Sequence, residues 1–309
     1  MPVRAQRKPR PLRQGDTVAV TAPAGFADAD CLERGIAILE GWGLRVEPPP
    51  PPEPVRYLSG TDSARAAHLS QLFARTDVAA IFCVRGGYGS SRLHGLFDAA
   101  VAADHPKIFV GFSDVTLLLG RLVAEAGLVC FHGPMVGADL PRLTALQRER
   151  FRSALFDEDG WWDGERLQTW RPGSGRGPLI GGCLSVLVTT LGTPYEVRTD
   201  GAVLFLEDVA EKPYRIDRML THLRNAGKLD HVAGIVLGSF HDCDDGQGED
   251  ILREIALEAV AGLDCPVVVG LDAGHGTGNT VLPMGCMVGI DASVKSAAVS
   301  LLESPFERP

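Results

Sequence analysis

The sequence predicts an α/β protein in two parts: an N-terminal domain on a parallel sheet of flavodoxin- or Rossmann-like kind, and a smaller C-terminal α/β or β-rich domain. Three observations predict it. Short, continuously apolar segments alternate with helix-spaced segments through the first half, the pattern of a parallel sheet covered on both faces. That pattern breaks over residues 156–178 into Asp-Glu-Asp-Gly, Trp-Trp-Asp-Gly and Arg-Pro-Gly-Ser-Gly-Arg-Gly. The chain, at 309 residues, also exceeds the size at which one hydrophobic core usually keeps growing. The expected division is residues 14–157, a linker over 158–178, and residues 179–309.

The elements follow in order. Residues 1–13 carry Arg4, Arg7, Lys8, Arg10 and Arg13 with three prolines and read as a disordered arm, since no apolar stretch follows that could serve as a signal-peptide core. Residues 17–21 form a β-branched strand that ends in Ala22-Pro23-Ala24-Gly25, and residues 28–42 then show helical spacing. The proline run 48–52, followed by Glu53 and Pro54, fits neither a helix nor a central strand and is expected as a stiff polyproline II connection. A helix over 62–73, a strand over 79–84, a strand over 108–110, a helix over 115–126 and a strand over 129–131 continue the alternation. Beyond the break come strands near 202–206, 234–239, 266–270, 287–290 and 297–302, with helices near 184–191, 215–226 and 251–261. There is no internal repeat.

Composition excludes some partners. A net charge of -9 opposes sequence-independent attraction to nucleic acid or an anionic membrane surface. No apolar run reaches the roughly 18 residues that a membrane span needs. A cytoplasmic protein with a small molecule or peptide as partner is expected. The seven cysteines (Cys31, Cys83, Cys130, Cys183, Cys243, Cys265, Cys286) are scattered, none at metal-knuckle spacing, and read as buried reduced thiols.

Four segments can carry chemistry. Ile108-Phe109-Val110-Gly111-Phe112-Ser113-Asp114 runs a strand into a tight turn and a helix, which lifts Ser113 to a helix N-terminus where backbone N–H groups favour a developing oxyanion. The same position also suits an ordinary N-cap. Val84-Arg85-Gly86-Gly87-Tyr88-Gly89 follows the preceding strand, and its glycines allow close approach of the backbone to a ligand or a tight packing turn. The dinucleotide fingerprint and the P-loop lysine are both missing from it. Residues 202–206 form a strand ending in Glu207 and Asp208, which alternation places on opposite faces, and Glu207 is taken as the orienting carboxylate. Glu211, four residues before Arg215, reads as a helix-start acid with its partner. His275 lies in a post-strand loop between Gly274 and Gly276, free to approach other loops or simply exposed. A metal site from His132, His241, His275 and Asp242, near Asp244 and Asp245, is the rival arrangement, but no paired-ligand spacing supports it.

In order, Arg-Gly-Gly-Tyr-Gly (85–89), Gly-Phe-Ser-Asp-Val-Thr (111–116), Leu-Phe-Leu-Glu-Asp-Val-Ala-Glu-Lys-Pro-Tyr-Arg-Ile-Asp-Arg-Met-Leu (204–220) and Gly-His-Gly (274–276) followed by Leu-Pro-Met-Gly (282–285) resemble the motifs of the LD-carboxypeptidase family. That family includes muropeptide LD-carboxypeptidases and the microcin C immunity peptidase, and the resemblance runs from residue 15 to residue 290. It implies a metal- and cofactor-independent serine peptidase acting on a murein peptide, with a triad of Ser113, His275 and Glu207 assembled across two domains. It also implies oxyanion donors from the backbone of Asp114 and of Gly86 or Gly87, and a homodimer. Arg85 is a candidate for the substrate carboxylate. One departure touches substrate binding: Gly181-Gly182-Cys183-Leu184 stands where the family usually has Gly-Gly-Asn-Leu. Trp161, Trp162 and Trp170 of the expected linker could stack on a nucleobase, which would suit a peptidyl-nucleotide substrate, or could pack between domains. A two-domain binding protein that closes on a small ligand is the non-enzyme alternative.

Overall fold

A computed structural model describes residues 6–158, 161, 167–244, 246 and 249–308. The chain divides into two compact units, Met1–Trp161 with Thr280–Pro283 and Pro305–Pro309, and Trp162–Asn279 with Met284–Ser304.

In the first unit the chain order is β1 (Thr17–Thr21), α1 (Ala29–Gly41), β2 (Arg45–Glu47), α2 (Asp62–Ala74), β3 (Val78–Cys83), β4 (Ile108–Gly111), α3 (Thr116–Arg121), β5 (Cys130–His132) and α4 (Ala145–Leu155). Side chains at the helix starts satisfy orphan backbone donors: Asp28 accepts from Cys31 in α1, Thr61 from Ala64 in α2, and Thr144 with Gln147 forms a capping box on α4. Strand pairs β1/β2, β1/β3, β3/β4 and β4/β5 are all parallel, and the apolar side chains of β1, β4 and β5 are buried. Phe73 packs at 5.8 Å from both Phe97 and Phe109, between α2 and the sheet.

The second unit contains β6 (Gln168–Arg171), β7 (Gly173–Cys183), α5 (Leu184–Leu187), β8 (Val203–Val209), α6 (Pro213–Asn225), β9 (Gly234–His241), α7 (Glu249–Ala259) and β10 (Val267–Val269). After β11 (Leu282–Met284) come β12 (Met287–Ala292) and β13 (Ala297–Leu301). The seven-stranded order is β13-β12-β7-β8-β9-β10-β6, parallel from β7 to β10 and antiparallel outside. Ile216, Leu220 and Leu223 of α6 bury one face on Leu204, Leu206, Ile235 and Leu237. The first sheet has six strands, β11-β5-β4-β3-β1-β2, so its edge strand β11 comes from late in the chain.

Several expectations need correction. Within the segment read as a linker, residues 168–171 are β6 and residues 173–178 open β7. The glycines there are not breakers but sites of close backbone approach: a Cβ on Gly175 would fall on the Ala233 carbonyl, and one on Gly177 would lie 3.1 Å from Ala202 Cα. Residues 280–283 and 305–309, expected in the C-terminal domain, belong to the first unit, where Phe306 is buried and stacks on Phe131 at 5.5 Å. The arm is ordered from residue 6: Arg7 bridges Leu128 in parallel, Leu12 is buried, and Pro9 O accepts from Glu307 N at 2.9 Å. Residues 1–5 lie outside the described residues. The proline run is exposed and has neither helix nor strand. Helix α4 and the short strands β2 and β11 were not expected.

Candidate active site

The first unit presents its loops at the carboxyl ends of parallel strands, where α/β sheets bind ligands. Beyond β4 the chain enters a 3₁₀ turn at Ser113–Val115 that leads into α3. Ser113 has φ +59°, left-handed backbone that costs a non-glycine residue roughly 1–3 kcal/mol. It is therefore not the N-cap that local sequence allowed, because an N-cap has extended backbone. Gly111 makes the turn tight: a Cβ there would sit 2.6 Å from Val115 Cγ1.

The glycine turn after β3 lies directly against Ser113. A Cβ on Gly86 would stand 2.8 Å from Ser113 Cβ, 3.0 Å from its Oγ and 3.2 Å from the Asp114 nitrogen, so only glycine fits. Gly87 adopts φ +99° and Gly89 φ +139°. Gly25 N donates to Gly86 O at 3.1 Å, and Ser90 N donates to Asp114 Oδ2 at 2.8 Å. The Asp114 side chain, which sequence reasoning did not single out, thus ties the serine turn to the glycine turn. Burial pushes its carboxyl above the usual range, opposed by hydrogen bonds from Ser90 and the Gly89 backbone and by the Arg65 charge. Arg85 is exposed; its guanidinium donates to Phe26 O at 3.4 Å and meets no carboxylate among the described residues. His132, buried at the end of β5, has its ring 5.4 Å from that of Phe112.

In the second unit β8 ends in two buried acids that separate. Glu207 Oε2 lies 2.7 Å from His275 Nδ1 and accepts from the His275 backbone N–H at 3.1 Å. Asp208 instead accepts from Ser185 N at 2.6 Å, Ser185 Oγ at 3.1 Å and Val209 N at 2.9 Å. A register shift between Leu206 and Asp208 in the β8/β9 pairing accompanies the divergence. Glu211 pairs with Arg215 at 3.4 Å. Burial pushes the Glu207 carboxyl up, while the His275 hydrogen bond and charge pull it back. With Nδ1 donating to Glu207, the tautomer leaves Nε2 as the basic nitrogen. The loop is set by Gly274, whose φ is +108° and whose Cβ would lie 2.8 Å from both Cβ and Cδ of Glu207. Asn279, another residue the sequence reading missed, accepts from Gly274 N at 2.9 Å and closes the loop. No local signal marks it, because an Asx turn bonds backbone two residues further on, whereas Asn279 reaches five residues back.

Cys183 pairs in register with Glu207, and its sulfur lies 3.4 Å from Ser185 Oγ and 3.7 Å from Asp208 Oδ1. Burial, then the Glu207 and Asp208 charges, push its thiol far up, which opposes a thiolate at neutral pH. Trp170 is buried in the core of this unit, whereas Trp161 belongs to the first unit, 6.3 Å from Phe306. Trp162 and Asp245 lie outside the described residues. Among the described residues no group of three or more His, Cys, Asp and Glu could hold a metal ion, and His241 is exposed beside Asp242 at 3.6 Å. A cleft of about 460 Å³ opens at the carboxyl ends of β9 and β10, with Gln168, Ser239 and Asp272 as its polar lining.

In the first unit a serine in left-handed backbone lies against Gly86, and in the second a buried carboxylate is hydrogen-bonded to an imidazole; each is a group that acyl transfer uses. Residues 18–133 match the LD-carboxypeptidase N-terminal domain and residues 176–290 the LD-carboxypeptidase C-terminal domain. The chain belongs to the LD-carboxypeptidase family, a family of peptidase hydrolases. It is 36% identical over 300 residues to the probable murein peptide carboxypeptidase of Bacillus subtilis, covering 94% of each chain. It is 28% identical to the microcin C7 self-immunity protein MccF of Escherichia coli, again over 94% of each. The crystal structure of muramoyltetrapeptide carboxypeptidase from Oxalobacter formigenes superposes with TM-score 0.81 at 28% identity, covering 94% of this chain and 99% of that one. No helix among the described residues is long and apolar enough to cross a membrane.

Proposed function

We propose that the protein is a serine carboxypeptidase that removes the terminal D-amino acid from murein tetrapeptides. Ser113 attacks the scissile carbonyl, His275 takes its proton through Nε2, and Glu207 holds the imidazole in that tautomer and steadies the imidazolium. The oxyanion is received by the backbone N–H of Asp114 and of the Gly86-Gly87 turn. His275 then returns the proton to the leaving amine, and water repeats the sequence on the acyl-enzyme. The observation that carries this reading is the Ser113 turn: a serine in left-handed backbone, against which Gly86 packs so closely that an added Cβ would stand 3.0 Å from its Oγ, is the kind of strain that collects where a side chain reacts. The Glu207–His275 pair at 2.7 Å supports it.

A carboxypeptidase must recognise a free carboxylate beside the scissile bond, and Arg85, exposed and without an acidic partner among the described residues, is suited to that. The reading extends by family resemblance to a homodimer working in the cytoplasm during cell-wall recycling. A second reading, cleavage of aminoacyl- or peptidyl-nucleotide amides, is favoured by the similarity to the microcin C7 self-immunity protein and by Cys183 in place of an amide.

Measurement of kcat/KM for a murein tetrapeptide ending in D-Ala, for its C-terminal amide and for an aminoacyl-nucleotide analogue tests both. The tetrapeptide is expected to be cleaved, its amide far less well. Equal cleavage of the amide removes carboxylate recognition, and cleavage of the nucleotide analogue alone replaces the first reading by the second. Ser113→Ala should lower turnover by several orders of magnitude. A folded, active Ser113→Ala protein would exclude the serine mechanism. A binding protein without catalysis would turn over none of the three and leave Ser113 unlabelled by an acylating probe.

A further inference from the structure

One peptide group in the first unit is gripped at both ends by buried charged side chains. Arg65, only 5% exposed, donates from Nη1 to the Gly89 carbonyl at 3.0 Å. Asp114, 3% exposed, accepts from the N–H of Ser90 at 2.8 Å, which is the other end of the same Gly89–Ser90 peptide. Arg and Asp are rarely buried to this degree without such partners.

Arg65 does more than hold this one carbonyl. Its Nη1 also donates to Pro23 O in the loop after β1, its Nε to Gly60 O at 3.3 Å, and its Nη2 to Asp62 Oδ1 at 2.6 Å. A single guanidinium therefore fastens the loop after β1 to the glycine turn after β3. Gly89 leaves it room: a Cβ there would lie 2.9 Å from Arg65 Nη1 and 2.7 Å from Leu58 Cδ2. At the other end of the turn Gly25 N holds Gly86 O. The segment from Gly86 to Ser90 is thus fixed at its first carbonyl and at its last peptide, and Gly86, at the first of these anchors, rests on Ser113.

We propose that this double grip sets the direction of the oxyanion donors, making Arg65 and the Asp114 carboxylate positioning residues for the reaction. The inference rests on the reading of Ser113 as nucleophile. The physical reason is that an oxyanion hole works only when its dipoles are already aimed before charge develops, and glycines cannot hold that aim themselves. Asp114 then has two duties: its backbone N–H is one donor, and its side chain fixes the segment that carries the other.

The test compares wild type, Arg65→Met, Asp114→Ala and Asp114→Asn on the murein tetrapeptide, together with a peptide aldehyde inhibitor whose serine adduct carries a tetrahedral oxyanion. Losing one oxyanion donor costs on the order of 10²–10³ in kcat, so misaiming it should cost about 10–100-fold. Arg65→Met and Asp114→Ala are expected to lose that factor in kcat with KM within about threefold, and the inhibition constant should rise in parallel. Asp114→Asn, whose amide oxygen still accepts from Ser90, should recover all but a few-fold of the loss. A fall in kcat with no change in inhibitor affinity, or a rise in KM at constant kcat, overturns the proposal. Should the truncations not fold, Arg65→Lys decides, because an ammonium cannot span the same carbonyls: unchanged kcat overturns the inference, and parallel losses in kcat and inhibitor affinity support it. An active Ser113→Ala protein overturns the underlying reading, and this inference with it. An inactive Ser113→Ala protein beside a fully active Arg65→Met protein overturns this inference alone.

Discussion

Gly274→Ala perturbs the loop that carries His275, and its magnitude can be worked from the geometry. A methyl at 274 would stand 2.8 Å from two carbon atoms of Glu207, where packed carbons sit about 3.5–4.0 Å apart. Overpacking of this kind costs about 1–3 kcal/mol, and a non-glycine residue held at φ +108° adds about 1–3 kcal/mol. The loss should therefore be at least about 2 kcal/mol, a fall in Tm of roughly 4 °C or more for a domain of this size. The overlap is relieved by moving the loop about 1 Å away from Glu207, which carries the imidazole with it; a misplacement of that size costs on the order of 10²-fold in rate. Gly120→Ala is the control: this glycine lies on the exposed face of α3 with nothing within 4 Å of an added Cβ, so alanine there should stabilise by about 0.4–1 kcal/mol and leave kcat alone. Thermal unfolding of both variants, with steady-state kinetics on the tetrapeptide, reads the two effects separately. If Gly274→Ala unfolds with the wild type and keeps kcat within threefold, Gly274 does not set the Glu207–His275 geometry.

Glu207→Gln should lower kcat by about 10³–10⁴, as loss of the tautomer-fixing carboxylate does, whereas Glu211→Gln, which removes only an exposed pair with Arg215, should leave kcat nearly unchanged; equal losses would refute the assignment. Glu207→Gln should also be more stable than wild type near neutral pH, because a carboxyl raised by burial favours the folded state below its ordinary value of 4.5 and loses that contribution as pH rises; the two melting curves should converge on acidification below that value. Lys107 is buried against the Arg75 and Val78 carbonyls, and burial pushes its ammonium down to about 8. The folded state sheds that proton before the unfolded state does, so stability should rise by up to about 3 kcal/mol between pH 8 and 10.5, a rise that Lys107→Met should abolish in urea titrations. Phe306→Ala should cost about 3–5 kcal/mol through the cavity left against Phe131, against less than about 0.5 kcal/mol for the exposed Leu302→Ala, and equal midpoints would show that the C-terminal segment is not part of the core.

Much of the fold and the main residues of the candidate site were legible in the chain because their signals are local. The apolar runs at 79–84 and 108–110, each ending in a glycine-bearing turn, mark parallel strands with loops at their carboxyl ends, and Ser113 and Gly86 stand in those loops. The run before Glu207 and the glycines around His275 are equally local, as is the order of the motifs. Period two distinguished Glu207 from Asp208, although the bulge that accompanies their separation has no signature in the alternation.

What only the tertiary structure decided depends on partners distant in sequence. Whether the glycines near 175 break a strand or build one rests on the Ala233 carbonyl that approaches them. Whether residues 6–13 are ordered rests on Leu128, Leu155 and Glu307, and whether Phe306 is a tail or core rests on Phe131. The left-handed backbone of Ser113, the closure of the histidine loop by Asn279 and the grip of Arg65 and Asp114 on one peptide belong to the same class. Periodicity and turn chemistry are properties of neighbouring residues and can be read from the chain alone. A hydrogen bond or a close approach between distant segments exists only once the sheet has brought them together.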